Sequence, residues 1–209
     1  MLLQRFWLTK HAANISRAFK IAVNKNKEQL LQLNAEHLPR PKNKEIPHPF
    51  GEVFYSLKQK TLETLNKNNY FAKQMQAESG VYLTKTDLEL LESHALTTIS
   101  TEQKKLEKNL FILSTIVTLA PFLGLLGTVW GILITFTELQ AGASASSNSA
   151  IIGGLSTALA TTVLGLVIAI PALIAYNYLR NAAKTLSSDM EDFLYELLSS
   201  LELQYRKVE

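Results

Sequence analysis

The side chains best placed to do chemistry in this sequence are hydroxyls in apolar surroundings. Between Asn109 and Ile151 the one charged residue is Glu138, and from Leu139 to Leu179 there is none. Thr128 lies in the first of these stretches, and Thr157, Thr161 and Thr162 in the second. They come with small residues. Gly124, Thr128, Gly131 and Thr135 stand at i, i+4, i+7 and i+11, and Gly127 with Gly131 adds a GxxxG step. Gly154, Thr157, Ala158, Thr161, Thr162 and Gly165 cluster over three helical turns. Small residues let helices approach closely, and hydroxyls bond across to a neighbour or back to their own helix. Helix packing accounts for most of these positions. A hydrated interface or pore is the sharper reading of the same threonines.

The missing groups are equally informative. Neither apolar stretch has Asp, Glu, His, Lys or Arg in its core, whereas an ion or proton motor needs a titratable group at membrane depth. If the protein conducts protons, a partner must bring the carboxylate. There is no HExxH, no phosphate-binding glycine loop and no triad-like grouping, so an enzyme is not expected. His11, His37, His48 and His94 have no ligand spacing, and there is no cysteine. Neither a metal site nor any other cofactor is expected.

The elements that must carry these residues are two hydrophobic runs, Leu110–Thr137 and Ile151–Leu179, separated by the small polar segment Gln140–Ala150. Each exceeds the roughly 20 apolar residues that span a bilayer core. At about 1.5 Å per residue the first run is roughly 42 Å long, more than the hydrocarbon needs. The expected fold is an all-α membrane protein, a transmembrane hairpin with long cytoplasmic helical extensions. Its divisions are a cytoplasmic helical domain over 1–109, spans over 110–139 and 151–179, an external loop over 140–150, and a cytoplasmic C-terminal helix over 180–209. Pro121 and Pro171 lie inside the spans. Each frees a carbonyl and can kink its helix, and Thr118 or a neighbouring helix is a candidate to satisfy the first.

Charge is partitioned. The first 109 residues hold 17 of the 21 Lys and Arg against 11 acids, and the tail after Leu179 holds four bases and six acids. Lys104, Lys105, Lys108, Arg180 and Lys184 flank the spans, while the connecting loop carries no base. The positive-inside rule therefore puts both termini in the cytoplasm. The modest basic excess lies beside the membrane, without an aromatic-studded patch, so membrane lipid rather than nucleic acid is the expected contact. Met1–Phe19 has a charge every few residues and no apolar core of signal-peptide length.

Outside the hairpin the pattern is helical. Leu8, Ala12, Ile15, Phe19, Ala22 and Val23 recur at helical spacing. Pro39, Pro41, Pro47 and Pro49 punctuate a linker. A helix from Phe50 to about Gln76 would bury Val53, Leu57, Leu62 and Leu65, with a turn near Ser79-Gly80. Thr84 or Thr86 is the expected N-cap of the next helix, Glu89 standing in capping-box register to Thr86. With Leu88, Leu91, Ala95 and Ile99 on one face, that helix is expected to run unbroken to Pro121. Beyond the second span, Leu186, Met190, Phe193, Leu197 and Leu201 repeat at four, three, four and four residues, a seam facing other helices.

Two segments carry a resemblance. Ala120-Pro121 followed by Gly124-Leu125-Leu126-Gly127-Thr128-Val129-Trp130-Gly131 resembles the second-span signature of the TolQ/ExbB family. Ala158-Leu159-Ala160-Thr161-Thr162-Val163-Leu164-Gly165-Leu166, then Ala169-Ile170-Pro171-Ala172 and Tyr176-Asn177, resembles its third. The likeness is strong over Leu110–Leu179 and looser over Phe50–Asn109 and the tail. It implies a multi-pass subunit of the bacterial inner membrane that forms a homopentameric ring. A dimer of a small single-span TolR/ExbD-like protein would sit in the pore, with its Asp taking the proton. A TolA/TonB-like protein would carry the motion to the envelope, for Tol–Pal integrity or TonB-dependent uptake. The pore-lining threonines of the family map to Thr128 and Thr162. Members usually carry a Glu where this chain has Thr157, which implies a hydroxyl-and-water path or a different coupling ion. Members also have an earlier span, so a truncated start is the preferred expectation. A flagellar-type stator and a non-conducting scaffold are the alternatives.

Overall fold

A computed structural model describes residues 14–26, 30–33, 38–41, 47–74, 82–140 and 147–206. Leu8, Ala12, the Ser79-Gly80 turn and the loop over 141–146 lie outside them. The described chain is helical: α1 over 14–24, then α2 Pro49–Gln74, α3 Lys85–Glu107, α4 Leu110–Gln140 and α5 Ser147–Tyr205. It divides into two compact units, Met1–Glu107 with Asn181–Glu209, and Lys108–Arg180.

In the first unit α1, α2, α3 and the end of α5 share one apolar core. Proline opens α2 because its fixed φ suits a first turn whose N–H has no helical partner anyway. Val53, Leu57 and Leu65 are buried, but the expected fourth member of that face is not Leu62, which is exposed. Thr61 takes its place. The steps 57, 61 and 65 keep one face, and Thr61 can be buried because its hydroxyl donates to the Leu57 carbonyl at 2.8 Å. On α5 all five seam residues, Leu186, Met190, Phe193, Leu197 and Leu201, are buried. Phe193 sits between Phe50, 5.2 Å away, and Phe19, 6.3 Å away. Lys20 and Asn24 of α1 reach Glu196 of α5 at 2.9 and 3.0 Å. A half-exposed ion pair of this kind adds at most about 1 kcal/mol, so apolar burial holds the bundle.

Thr84 caps α3, with Asp87 rather than a Glu as its partner. The Asp87 N–H donates to Thr84 Oγ1 at 3.1 Å, while the Thr84 N–H and hydroxyl donate to Asp87 Oδ2 at 2.9 and 2.7 Å. Asn68 of α2 donates to the same oxygen at 2.9 Å. Burial pushes the Asp87 carboxyl up, but these donors and the Lys67 charge outweigh it and hold it below the ordinary 3.8. A depressed carboxyl stabilises the fold above its unfolded pKa and ceases to as pH falls through the folded value. Asp87→Asn should therefore cost about 1 kcal/mol at pH 7. In urea titrations the deficit against wild type should shrink once pH drops below 3.8. An equal deficit at pH 7 and pH 3 would refute the charged cap.

The helix expected to run unbroken to Pro121 is interrupted. α3 ends at Glu107 and α4 starts at Leu110. Between them Asn109 has φ 71°, the left-handed conformation that Asn tolerates better than other non-glycine residues and that ends helices.

The second unit is a helical hairpin. Leu110–Gln140 and Ile151–Tyr205 each contain a stretch long and apolar enough to cross a membrane. Phe111, Phe122, Trp130, Ile152 and Ile174 are each more than 60% exposed. So large an apolar surface suits lipid or another membrane helix, not water. The molecule is a helical membrane protein.

Candidate functional site in the helical hairpin

The hairpin closes along a seam of small residues in antiparallel register. A Cβ built on Gly165 would lie 2.6 Å from the Ala120 carbonyl oxygen and 3.2 Å from Gly124 Cα. One on Gly124 would lie 3.0 Å from both the Thr161 carbonyl oxygen and Thr162 Cα. A Cβ on Gly127 would lie 2.5 Å from Thr161 Oγ1, and one on Gly131 2.7 Å from the Ala158 methyl. A Cβ on Gly154 would overlap Thr135 Oγ1. Gly124, Gly127, Gly131, Gly154 and Gly165 thus all lie where backbone meets the facing helix. Thr135 joins them, buried and donating to the Gly131 carbonyl at 2.9 Å. Gly153 has open space around it.

The threonines are arranged about this seam. Thr161, half-buried, donates to the Ala158 carbonyl at 2.6 Å and also reaches the Gly124 carbonyl at 3.2 Å. Thr162, half-buried, donates to that same Gly124 oxygen at 3.2 Å. Thr128 donates to Leu125 at 2.6 Å, and the exposed Thr157 to Gly153 at 2.9 Å. Thr128 follows the seam residue Gly127 by one step of about 100°, and Thr162 follows Thr161 by one step. In antiparallel helices those two steps turn to the same side of the pair. Thr157 precedes Ala158 by one step and turns to the other side. The four threonines therefore do not form one cluster within a single chain. Thr128 and Thr162 share a side, Thr161 lies in the seam, and Thr157 is across it.

The side away from Thr128 and Thr162 holds an apolar groove of about 400 Å³, walled by Ile116, Leu119, Leu123, Leu164 and Ile168. The hydroxyls of Thr128 and Thr162 stand on the other side. Because each hydroxyl spends its hydrogen on a carbonyl, its lone pairs are what it offers outward. Such a row accepts hydrogen bonds from water or a hydrated cation, and it contributes no group that titrates near neutral pH. The carbonyl of Gly124, shared by two hydroxyls, is a central element that side-chain patterns do not reveal.

Both helices run through their prolines, Pro121 and Pro171. Thr118 does not turn to the Val117 carbonyl that Pro121 leaves free. Its hydroxyl bonds to the Ser114 and Thr115 carbonyls at 3.2 and 3.0 Å.

Residues 63–192 match the model of the MotA/TolQ/ExbB proton channel family. Among similar proteins, the biopolymer transport protein ExbB of Aquifex aeolicus is 40% identical over 100 residues, 48% of this chain and 67% of that protein. The ExbB of Xanthomonas campestris pv. campestris is 36% identical over 99 residues, 47% of this chain and 39% of its own length. The Tol-Pal system protein TolQ of Haemophilus influenzae is 36% identical over 103 residues, 49% of this chain and 45% of its own. The chain thus spans less than half the length of two of these three curated relatives. A family match covering well over half of the sequence and centred on this hairpin places the chain in the MotA/TolQ/ExbB proton channel family.

Proposed function

We propose that this chain is the ring-forming membrane subunit of a motor driven by the proton-motive force, of the ExbB or TolQ kind. It would sit in a bacterial inner membrane with both termini in the cytoplasm. The observation that carries this reading is a hairpin whose two apolar runs hold no charge and bear outward-facing hydroxyl acceptors, in a chain of a proton channel family. An ion crossing such a hairpin needs a counter-charge that the hairpin lacks, since a bare charge at mid-membrane costs at least about 2.5–3.5 kcal/mol. A single-span partner of the ExbD or TolR kind, a dimer inside a homopentamer, would supply the carboxylate. A TonB- or TolA-like protein would then transmit the motion to the envelope. Thr128 and Thr162 would line the hydrated path with Thr161 behind them. Thr157, on the other side of the seam, would reach a path only where that side of another copy is presented to it.

Native mass spectrometry of the protein extracted gently from its own membranes tests this. The expected species is five copies with two of a small single-span protein carrying an intramembrane Asp. A monomer or dimer without such a partner would overturn the motor reading in favour of a membrane scaffold.

A further inference from the structure

His48 is the anomaly of the first unit. It precedes Pro49 at the start of α2, where its carbonyl accepts the Glu52 N–H at 3.1 Å. Its ring lies on the bare backbone of Gly51, where any Cβ would overlap it. The ring meets Phe19 of α1 edge-on, centroids 4.8 Å apart at 85°. Phe19 is 0% exposed and packs in turn on Phe54 and Phe193. Both imidazole nitrogens are buried, and neither has a hydrogen-bond partner among the described residues. Buried ring nitrogens left unsatisfied beside a native core call for an explanation.

The charges on the surrounding elements offer an imidazolium no relief. Arg40, in the linker, lies over the Tyr55 ring at 5.2 Å and is the charge that acts on His48. On α1, Arg17 and Lys20 are also basic, and Lys20 is paired with Glu196 of α5. Glu52, one turn into α2, is exposed. No carboxylate bonds to the ring among the described residues. His48 is half-buried as a residue, but its two nitrogens are shut off, so a protonated His48 would be a second positive charge beside Arg40 that water reaches only if something lifts. α2 runs for 26 residues and buries nine of them. Over its described residues, 14–24, α1 buries Ser16, Phe19 and Val23 and adds the half-exposed contacts to Glu196. Among the described residues the more weakly held element is α1.

We propose that His48 is a pH-sensitive latch whose protonation frees α1 from the helical bundle. Burial, and then the Arg40 charge, push its imidazole below the ordinary 6.5. A histidine held neutral in the closed form stabilises it fully above 6.5, and that stability declines as pH falls from there to the closed-form value. The latch stands apart from the motor reading. If that reading also holds, protons delivered to the compartment bathing this unit would loosen α1, a feedback on the machine.

The chain has no cysteine, so paired spin labels can be placed without background on the full-length protein. Ile21→Cys on α1 and Ser199→Cys on α5 are both exposed positions. At pH 7.5 one narrow distance is expected. Toward pH 5.5 a longer, broad population should grow, by up to about tenfold per pH unit in the open-to-closed ratio. His48→Phe keeps the packing and removes the titration, so it should hold the narrow distance at both pH values. No change in the unsubstituted background, or the same change in His48→Phe, would overturn the latch. Should His48→Phe lack the narrow distance at pH 7.5, His48→Gln is read by the same criteria. NMR titration of the His48 ring is an independent test, because an ordinary value near 6.5 would also refute the latch.

Discussion

Thr162→Leu should abolish proton-driven activity and leave the assembly intact. Thr162 stands at the edge of the seam, half-buried, with its Cα against Gly124 and its hydroxyl on the Gly124 carbonyl, while its side chain turns to the Thr128 side. Leucine there removes the hydroxyl acceptor beside Thr128 and sets a branched apolar group in its place. The packing partners Gly165, Thr161, Ala158 and Gly154 are untouched, and Thr161 still reaches Gly124. A hydrogen bond to a charged species contributes about 1.5–3 kcal/mol. Its loss at the rate-limiting point lowers flux roughly 10- to 150-fold before any steric block is added. Thr162→Val should behave like Leu, because it deletes the hydroxyl at nearly constant shape, and Thr162→Ser should retain most activity. Proton flux into vesicles carrying the protein with its partner measures this directly. A fully active Thr162→Leu, with the ring intact, would remove this position from any hydrated path.

Gly165→Ala should open the hairpin, and Gly165→Leu should abolish its packing. The added Cβ falls 2.6 Å from the Ala120 carbonyl oxygen and 3.2 Å from Gly124 Cα. Both are backbone atoms, so relief requires separating the helices rather than turning a rotamer. Overpacking of this kind costs about 1–3 kcal/mol for one methyl group and more for leucine. Gly153→Ala supplies the control, because nothing lies near that position and alanine improves helix propensity by about 1 kcal/mol. Gly127→Ala should fall between them, since the atoms it meets belong to the Thr161 side chain. Unfolding in mixed micelles of mild detergent and SDS would rank the three. If Gly165→Ala is no more destabilising than Gly153→Ala, the close contact between α4 and α5 is wrong.

Much of the fold is legible in residue types. The two charge-free runs and the repeat from Leu186 to Leu201 declare the hairpin and the buried face of α5. The cap is legible to within two residues, Thr84 or Thr86, but its partner is not: Glu89 stands in register to Thr86, yet Thr84 takes the cap because Asn68 of α2 and the Thr84 backbone converge on Asp87. The break at Asn109 leaves little trace, since no glycine or proline marks it. Leu62 has the hydrophobicity of a core residue, but hydrophobicity alone does not register that Thr61 satisfies its own hydroxyl and so can be buried instead.

Residue types and their order are enough to assign two segments to a membrane, to place small residues and threonines within them, and to show that the stretch from Leu139 to Leu179 is free of charge. These properties follow from composition and period, which belong to one helix at a time. The sides of the hairpin arise only when α4 and α5 pack together. The grouping of Thr128 with Thr162, and the separation of Thr157 from both, depends on which residue of α4 faces which residue of α5. That register is set by backbone contact at Gly124 and Gly165. The Gly124 carbonyl shared by Thr161 and Thr162, and the His48 imidazole that finds no hydrogen-bond partner among the described residues, arise in the same way. Each is made by atoms that different helices bring together, and local periodicity carries no information about such distances.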